Sequence, residues 1–326
     1  MSSITGRSEL DATPSGDLAG ATRRVGDRVL AGLSLGSGVF VVLVIAAVGV
    51  FLLAQALPSL ADDKAGFLTS RVWDPGGHPP RFGVADLLWV TLISSVVAMV
   101  ISVPVSVGVA LFLTQYAPPR FAKPFAAAID LLAAVPSIVY GLWGAYIVLN
   151  YLNAIQRGIS EVLGWIPLFS GDALIPNSVF AGSVILAIMI LPIVTALSRE
   201  VFAQTPATHK EAALALGATR WEVIRTAVLP FGRAGVISAA MLGLGRALGE
   251  TIAVLFIINV VRGSFSWSIF TGGETFASRI ARDAGEFDTP EKTGAYIAAG
   301  LVLFVLTFAV NAVARIVIER RKAFSE

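Results

Sequence analysis

The sequence predicts an all-α polytopic membrane protein with about six transmembrane helices. Of 326 residues, 56% are hydrophobic and only 14% are charged, where a soluble globular chain has about 45–50% and about 25%. Mean hydropathy is +0.78. The apolar residues fall in blocks of roughly twenty or more, the length that a helix rising ~1.5 Å per residue needs to cross the hydrocarbon layer. Lys and Arg are dense in every second connecting segment and sparse in the others, as a chain threaded through a bilayer requires.

Composition also excludes several classes. The formal net charge of +2 is too small to point to nucleic acid. With no cysteine, the chain has no disulfide, zinc-thiolate site or thiol nucleophile. His78 and His209 stand alone, so no metal cluster and no cofactor is expected.

A flexible cytoplasmic arm over 1–28 comes first, rich in Ser, Thr, Gly and Asp and too poor in apolar residues to fold. The first span, 29–57, ends in Ala54-Gln55-Ala56, which looks like a signal cleavage site. Its apolar run is about twice the usual signal length of roughly 7–15 residues and follows a long polar arm, so it reads as a retained anchor. Further spans are expected at 86–115, 125–149, 178–197, 234–261 and 294–318, completing a transmembrane domain over 29–318 with a cytoplasmic tail at 319–326. Fifteen Lys and Arg fall in the arm, the second and fourth connections and the tail, against eight on the other side. Both termini are therefore expected in the cytoplasm. Trp73, Trp165 and Trp267 lie in the opposite loops, where interfacial anchoring is the simpler reading and a docking surface for an external protein the alternative.

The segment 199–233 is too long and ordered for a plain connector. Thr208 with Glu211 and Thr219 with Glu222 each fit a capping box, and Pro206 alternatively suits a first helical position. Gly217 sits where a left-handed residue would end the first helix. Trp221, Ile224 and Val228 form an apolar stripe on the second. Read alone, this is an amphipathic hairpin facing the cytoplasm. Its letters say more. Glu211-Ala212-Ala213, Gly217 and Leu229-Pro230 resemble the EAA loop of ATP-binding-cassette importer permeases, with one departure, Ala227 where the pattern has Ile. The resemblance implies a type I importer permease fold and a coupling helix that docks on an ATPase subunit, with Glu211 and Gly217 in the contact. The chain has no G-x-x-x-x-G-K-[ST] phosphate loop. It is expected to be non-catalytic, with ATP hydrolysis supplied by a partner.

Arg246 and Glu250 are charged residues inside the fifth predicted span. A charge there costs roughly 2.5–3.5 kcal/mol on insertion scales, and i, i+4 spacing would let the two pair. Their face continues through Ala239, Gly243 and Ala253, small enough for a helix or a pore to come close. Two readings stay open: an ion pair that fixes helix packing, or a pathway in which Arg246 offers a guanidinium fork to an oxyanion and Glu250 moderates it. Asp130, near the end of the third predicted span, reads as interfacial.

The run 242–251, Leu-Gly-Leu-Gly-Arg-Ala-Leu-Gly-Glu-Thr, is similar to the fifth-span signature of phosphate-specific permeases. The run 135–144, Val-Pro-Ser-Ile-Val-Tyr-Gly-Leu-Trp-Gly, resembles their third-span signature, with Pro136 expected to kink the helix. Gly-Arg-Ala-Leu-Gly-Glu-Thr followed by Ile-Ala-Val favours the C-type (PstC) subunit, and the resemblance covers about residues 85–320. It implies half of a phosphate pathway in a bacterial inner membrane, partnered by an A-type (PstA) permease, two ATPase subunits (PstB) and an external phosphate-binding protein (PstS). Charge and spacing alone give only an anion pathway. An importer of sulfate or molybdate would share the loop; an ion-driven carrier would show a chain of intramembrane acids and need no loop; a lipid-directed enzyme would need convergent catalytic groups.

Overall fold

A computed structural model describes residues 25–63, 66–171, 174–261 and 265–322. Most of the predicted arm, Lys64 and Arg262, and the last four residues of the tail lie outside them. Two compact units result, Met1–Val50 and Phe51–Glu326. The first contains most of helix α1 (Val25–Asp62), whose apolar side chains from Val29 to Val50 are exposed on all sides. A helix that is apolar all round without a packed core is one whose solvent is lipid.

The second unit is a helical bundle. After α1, a two-residue hairpin pairs Trp73 with Phe82 (β1 Trp73–Asp74, β2 Arg81–Phe82). Helix α2 (Ala85–Leu111) runs into a π-turn at Phe112–Tyr116. Its buried face is built from Thr91, Ser94, Ala98, Ser102, Ser106 and Ala110. Such small side chains let it lie close along α6 (Val179–Ala203), the most buried of the six spans. Ser106 Oγ donates to the Leu191 carbonyl at 3.1 Å, next to Pro192 within α6.

Among the described residues, six helices are long and apolar enough to span a bilayer. Four occupy the expected places, but the third is displaced. Residues 119–133 form a separate amphipathic helix, α3 (Pro119–Ala133), with no fully buried residue, and the span itself is Ser137–Leu163. The apolar letters of 125–133 belong to one face of α3, which exposes Phe125, Leu131 and Leu132. Pro136 does not kink this span but starts it, in extended conformation just before α4 (Ser137–Trp143). A π-turn at Gly144–Val148 leads into α5 (Leu149–Leu163). Asp130 therefore lies in α3, where it pairs with Arg199 of α6 at 3.2 Å.

The fifth span is also not one helix. Helix α8 (Arg220–Val223), a π-turn at Ile224–Val228 and α9 (Leu229–Gly249) run continuously. The helix then breaks at Glu250, whose ψ of 126° is extended, and resumes for six residues as α10 (Ile252–Ile257). The chain beyond folds back over the start of α6: Asn259 N–H donates to the Asn177 carbonyl at 2.9 Å, and Val179 N–H to the Thr271 carbonyl at 2.8 Å. Non-helical backbone is tolerated at membrane depth only when protein satisfies it, and these bonds do so.

Helices α11 (Phe276–Arg282) and α12 (Pro290–Lys322) finish the chain. On the hairpin side of the bundle, Arg279 contacts Glu274 at 2.6 Å and Asp283 at 2.7 Å, and Arg282 reaches Glu274 at 2.9 Å. Tyr296 donates to Asp283 at 2.8 Å. Burial alone would make Arg279 easier to deprotonate, but its hydrogen bond to Glu274 and the charges of Glu274 and Asp283 outweigh that and hold its pKa above the usual value. Trp73 packs beside this cluster, edge-on to Phe82 and 5.3 Å from the Tyr296 ring. Trp165, in contrast, is exposed.

Candidate functional site

Arg246 lies in the last turn of α9, not in mid-helix. The carbonyls of a helix C-terminus carry a partial negative charge that favours a cation, which is how the fold holds a guanidinium at this depth. The expected partner is elsewhere. Among the described residues no ion pair joins Arg246 to Glu250. The helix break carries Glu250 away from the i, i+4 position, and its Oε1 accepts the backbone N–H of Ala253 at 3.1 Å. Glu250 is buried, 8% exposed, and caps α10. Arg246 instead lies within electrostatic reach of Tyr140 on α4, whose hydroxyl donates to the Leu132 carbonyl at 2.9 Å.

The small-residue face expected to continue from the two charges serves helix packing. Ala239 is buried, and a Cβ on Gly243 would come within 2.8 Å of Val194 Cγ2 on α6. Ala253 lies against α4, where a Cβ on Gly141 would be 2.9 Å from its Cα.

The adjoining side of α9 is open. Arg246 lines a groove of about 610 Å³ together with Ile193, Ser238, Met241, Leu242, Gly245 and Asn311. A Cβ added at Gly245 would meet nothing within 4 Å. Ser238 and Asn311 were not expected from the sequence. For Asn311 the sequence does carry a signal, an uncharged amide in an apolar run, weaker than the charges of Arg246 and Glu250.

The second site is the segment between α6 and α9. Helix α7 (Ala207–Ala215) is preceded by Pro206 in extended conformation, so Thr208 is already inside the helix and its expected capping box with Glu211 does not form. The second box forms: Thr219 Oγ1 accepts the Glu222 N–H at 3.3 Å, and the Glu222 carboxylate accepts the Thr219 N–H at 2.7 Å. Between them Gly217 has φ +82°. Its N–H reaches the Leu214 carbonyl at 2.9 Å and Ala218 N–H the Ala213 carbonyl at 3.2 Å, the paired bonds of a left-handed helix end.

The apolar stripe divides. Ile224 and Val228 are buried with Phe202, Ala110 and Leu111, and Leu229 packs on them. Trp221 is 58% exposed and Leu216 is 90% exposed. Glu211, Ala212 and Gly217 are exposed as well, while Ala213 is partly covered and Pro230 lies open in the first turn of α9. The result is a rigid, doubly capped corner that presents apolar side chains to the outside. Among the described residues no group of acids and histidines could hold a metal ion.

Residues 28–323 match the family described as "Binding-protein-dependent transport system inner membrane component". The "Phosphate transport system permease protein PstC 2" of Mycobacterium tuberculosis is 52% identical over 296 residues, covering 90% of this chain and 91% of that protein. The PstC permease of Mycobacterium leprae is 54% identical over 270 residues, covering 82% and 85%. That of Xylella fastidiosa is 40% identical over 287 residues, covering 86% and 87%. Among solved structures, a chain of a bacterial ABC transporter involved in the import of the acidic polysaccharide alginate shares the fold, with a TM-score of 0.53 and 14% identity, over 72% of this chain and 78% of that one. The chain therefore belongs to the binding-protein-dependent transport system inner membrane components and, among them, to the PstC phosphate transport system permeases.

Proposed function

We propose that this chain forms half of the membrane pathway of an ATP-driven phosphate importer and that Arg246 is the residue the anion meets. The observation that carries the proposal is a guanidinium in a membrane groove with no carboxylate partner among the described residues. An unneutralised cation at that depth lowers the cost of bringing an anion out of water, and a planar fork suits a tetrahedral oxyanion. The open groove keeps the contact weak enough for release, as a conducting pathway requires.

The corner at α7 and α8 is the ATPase-docking surface in this reading. Leu216 and Trp221 are apolar side chains that a partner must cover, and Glu211, Ala212, Ala213 and Gly217 border them. Leu229 and Pro230 tie the corner to α9 and so to Arg246. The complete complex holds a PstA-type second permease, two PstB-type ATPases and a PstS-type phosphate-binding protein on the hairpin side. This chain is non-catalytic, sits in the bacterial inner membrane, and has both termini in the cytoplasm with α7, consistent with the clustering of Lys and Arg.

Arg246→Gln in the assembled complex tests the pathway. Phosphate uptake into proteoliposomes should fall by at least about tenfold, the scale of one charged hydrogen bond, while complex recovery and binding-protein-stimulated ATP hydrolysis persist. Uptake at the parental rate would remove Arg246 from the pathway. For the orientation, the cysteine-free chain takes single cysteines at Gly76, Gly171 and Gly285. Failure of all three to react with an impermeant thiol reagent in spheroplasts would reverse the topology.

A further inference from the structure

The groove that holds Arg246 has a second polar wall, and this inference rests on the pathway reading above. Asn311 projects from α12 into the same groove, across from Ser238, Gly245 and Arg246 of α9. It is exposed and lies within a span in which Thr307, one turn before it, donates to the Phe304 carbonyl of its own helix at 2.9 Å. The Asn311 amide has no hydrogen-bond partner among the described residues. A side-chain amide with two donors and an acceptor is costly to leave in hydrocarbon. It belongs against the pathway or against another helix.

The chemistry of its neighbours favours the pathway. Arg246 can only donate. Ser238 gives its proton to the Ala234 carbonyl at 3.0 Å, so its oxygen is left as an acceptor toward the groove. Phosphate near neutral pH carries one or two P–OH groups beside its bare oxygens, and it needs acceptors as well as donors. An amide supplies both. A fully ionised tetrahedral anion has no proton to give, and would face the Asn311 carbonyl oxygen and Ser238 Oγ as unmatched lone pairs. A site with dedicated partners for a hydroxyl rejects analogues that lack it more strongly than a merely apolar one does.

From this we infer that Asn311 is a substrate-contacting residue that pairs with Arg246 across the groove and selects hydrogen-bearing oxyanions, its Nδ2 donating to a bare oxygen and its Oδ1 accepting from P–OH.

The test uses the whole complex with its ATPase and binding protein in proteoliposomes, with phosphate uptake normalised to assembled complex. Asn311→Leu, well suited to lipid or to apolar packing, should assemble as the parent does yet lose about tenfold in kcat/KM. Asn311→Gln, which keeps donor and acceptor, should recover most of that loss, and Asn311→Ala serves if the leucine variant assembles poorly. Full uptake per complex by the leucine or alanine variant overturns the inference. So does a variant whose only defect is reduced recovery of the permease pair, because that marks an amide holding two helices together. If the parental complex imports no phosphate, the pathway reading fails first and this inference falls with it; loss confined to the Asn311 variants leaves that reading standing.

Discussion

Glu250 Oε1 accepts the N–H of Ala253 at 3.1 Å, and that contact decides how the two intramembrane charges are to be understood. The carboxylate is engaged by the helix that follows it, so Arg246 and Glu250 are separate devices. Glu250→Gln keeps an acceptor for the same N–H and should leave thermal stability of the purified complex within about 1 kcal/mol of the parent. Glu250→Ala removes the cap and should cost roughly 0.5–2 kcal/mol. Combining Arg246→Gln with Glu250→Gln should be additive within about 0.5 kcal/mol. A double variant that restores what each single change loses would show that the charges are coupled after all.

Gly217 should tolerate little else. At φ +82° an L side chain pays roughly 1–2 kcal/mol, although a Cβ there would meet nothing within 4 Å. Gly217→Val should therefore loosen the corner without a clash, seen as faster amide exchange over residues 207–223 and weaker stimulation of ATP hydrolysis. Gly217→Asn should retain more of both, because Asn tolerates that backbone.

Gly243 tests the packing of α9 on α6. Gly243→Val drives a branched side chain into Val194 and should destabilise the complex by about 1–3 kcal/mol. Adding Val194→Ala should recover a substantial part of it. Equal instability with and without the second change would place the clash elsewhere.

Glu274 is buried between Arg279 and Arg282. Glu274→Ala leaves Arg279 with Asp283 alone and takes from Arg282 its carboxylate on the hairpin side, and should cost roughly 1.5–3 kcal/mol, the scale of a charged hydrogen bond. Differential scanning of the detergent-solubilised complex measures it. Asp130→Ala should do far less, within about 1 kcal/mol, because its contact with Arg199 is half exposed. A transport defect in that variant would give Asp130 a part in the pathway.

Legibility followed the physics of each signal. Hydropathy located four of the spans because a bilayer demands long apolar helices, and Thr219 with Glu222 read correctly because a capping box is local. The Thr208 box failed because Pro206 sets the helix start one residue before it. The third span slipped because a sliding reading of apolar letters does not separate α3's one-sided face from a helix apolar all round. Arg246–Glu250 failed for a subtler reason: counting i to i+4 assumes an unbroken helix, and this one breaks at Glu250, whose carboxylate turns to the Ala253 N–H instead. Asn311 could not be assigned because its meaning lies in which helix faces it.

Helix α6 runs unbroken for 25 residues, about 37 Å. One end is bonded to the Thr271 carbonyl, and the other carries Phe202 into the apolar cluster under the α7–α8 corner. It meets α9 closely at three places, Val194 against Gly243, Val201 against Gly235 and Phe202 against Gly232. The two helices are therefore fastened along the second half of α6 rather than at one pivot. A push at the α7 end moves α6 and α9 together, and Arg246 with them, against the folded-back chain that ties down the first end.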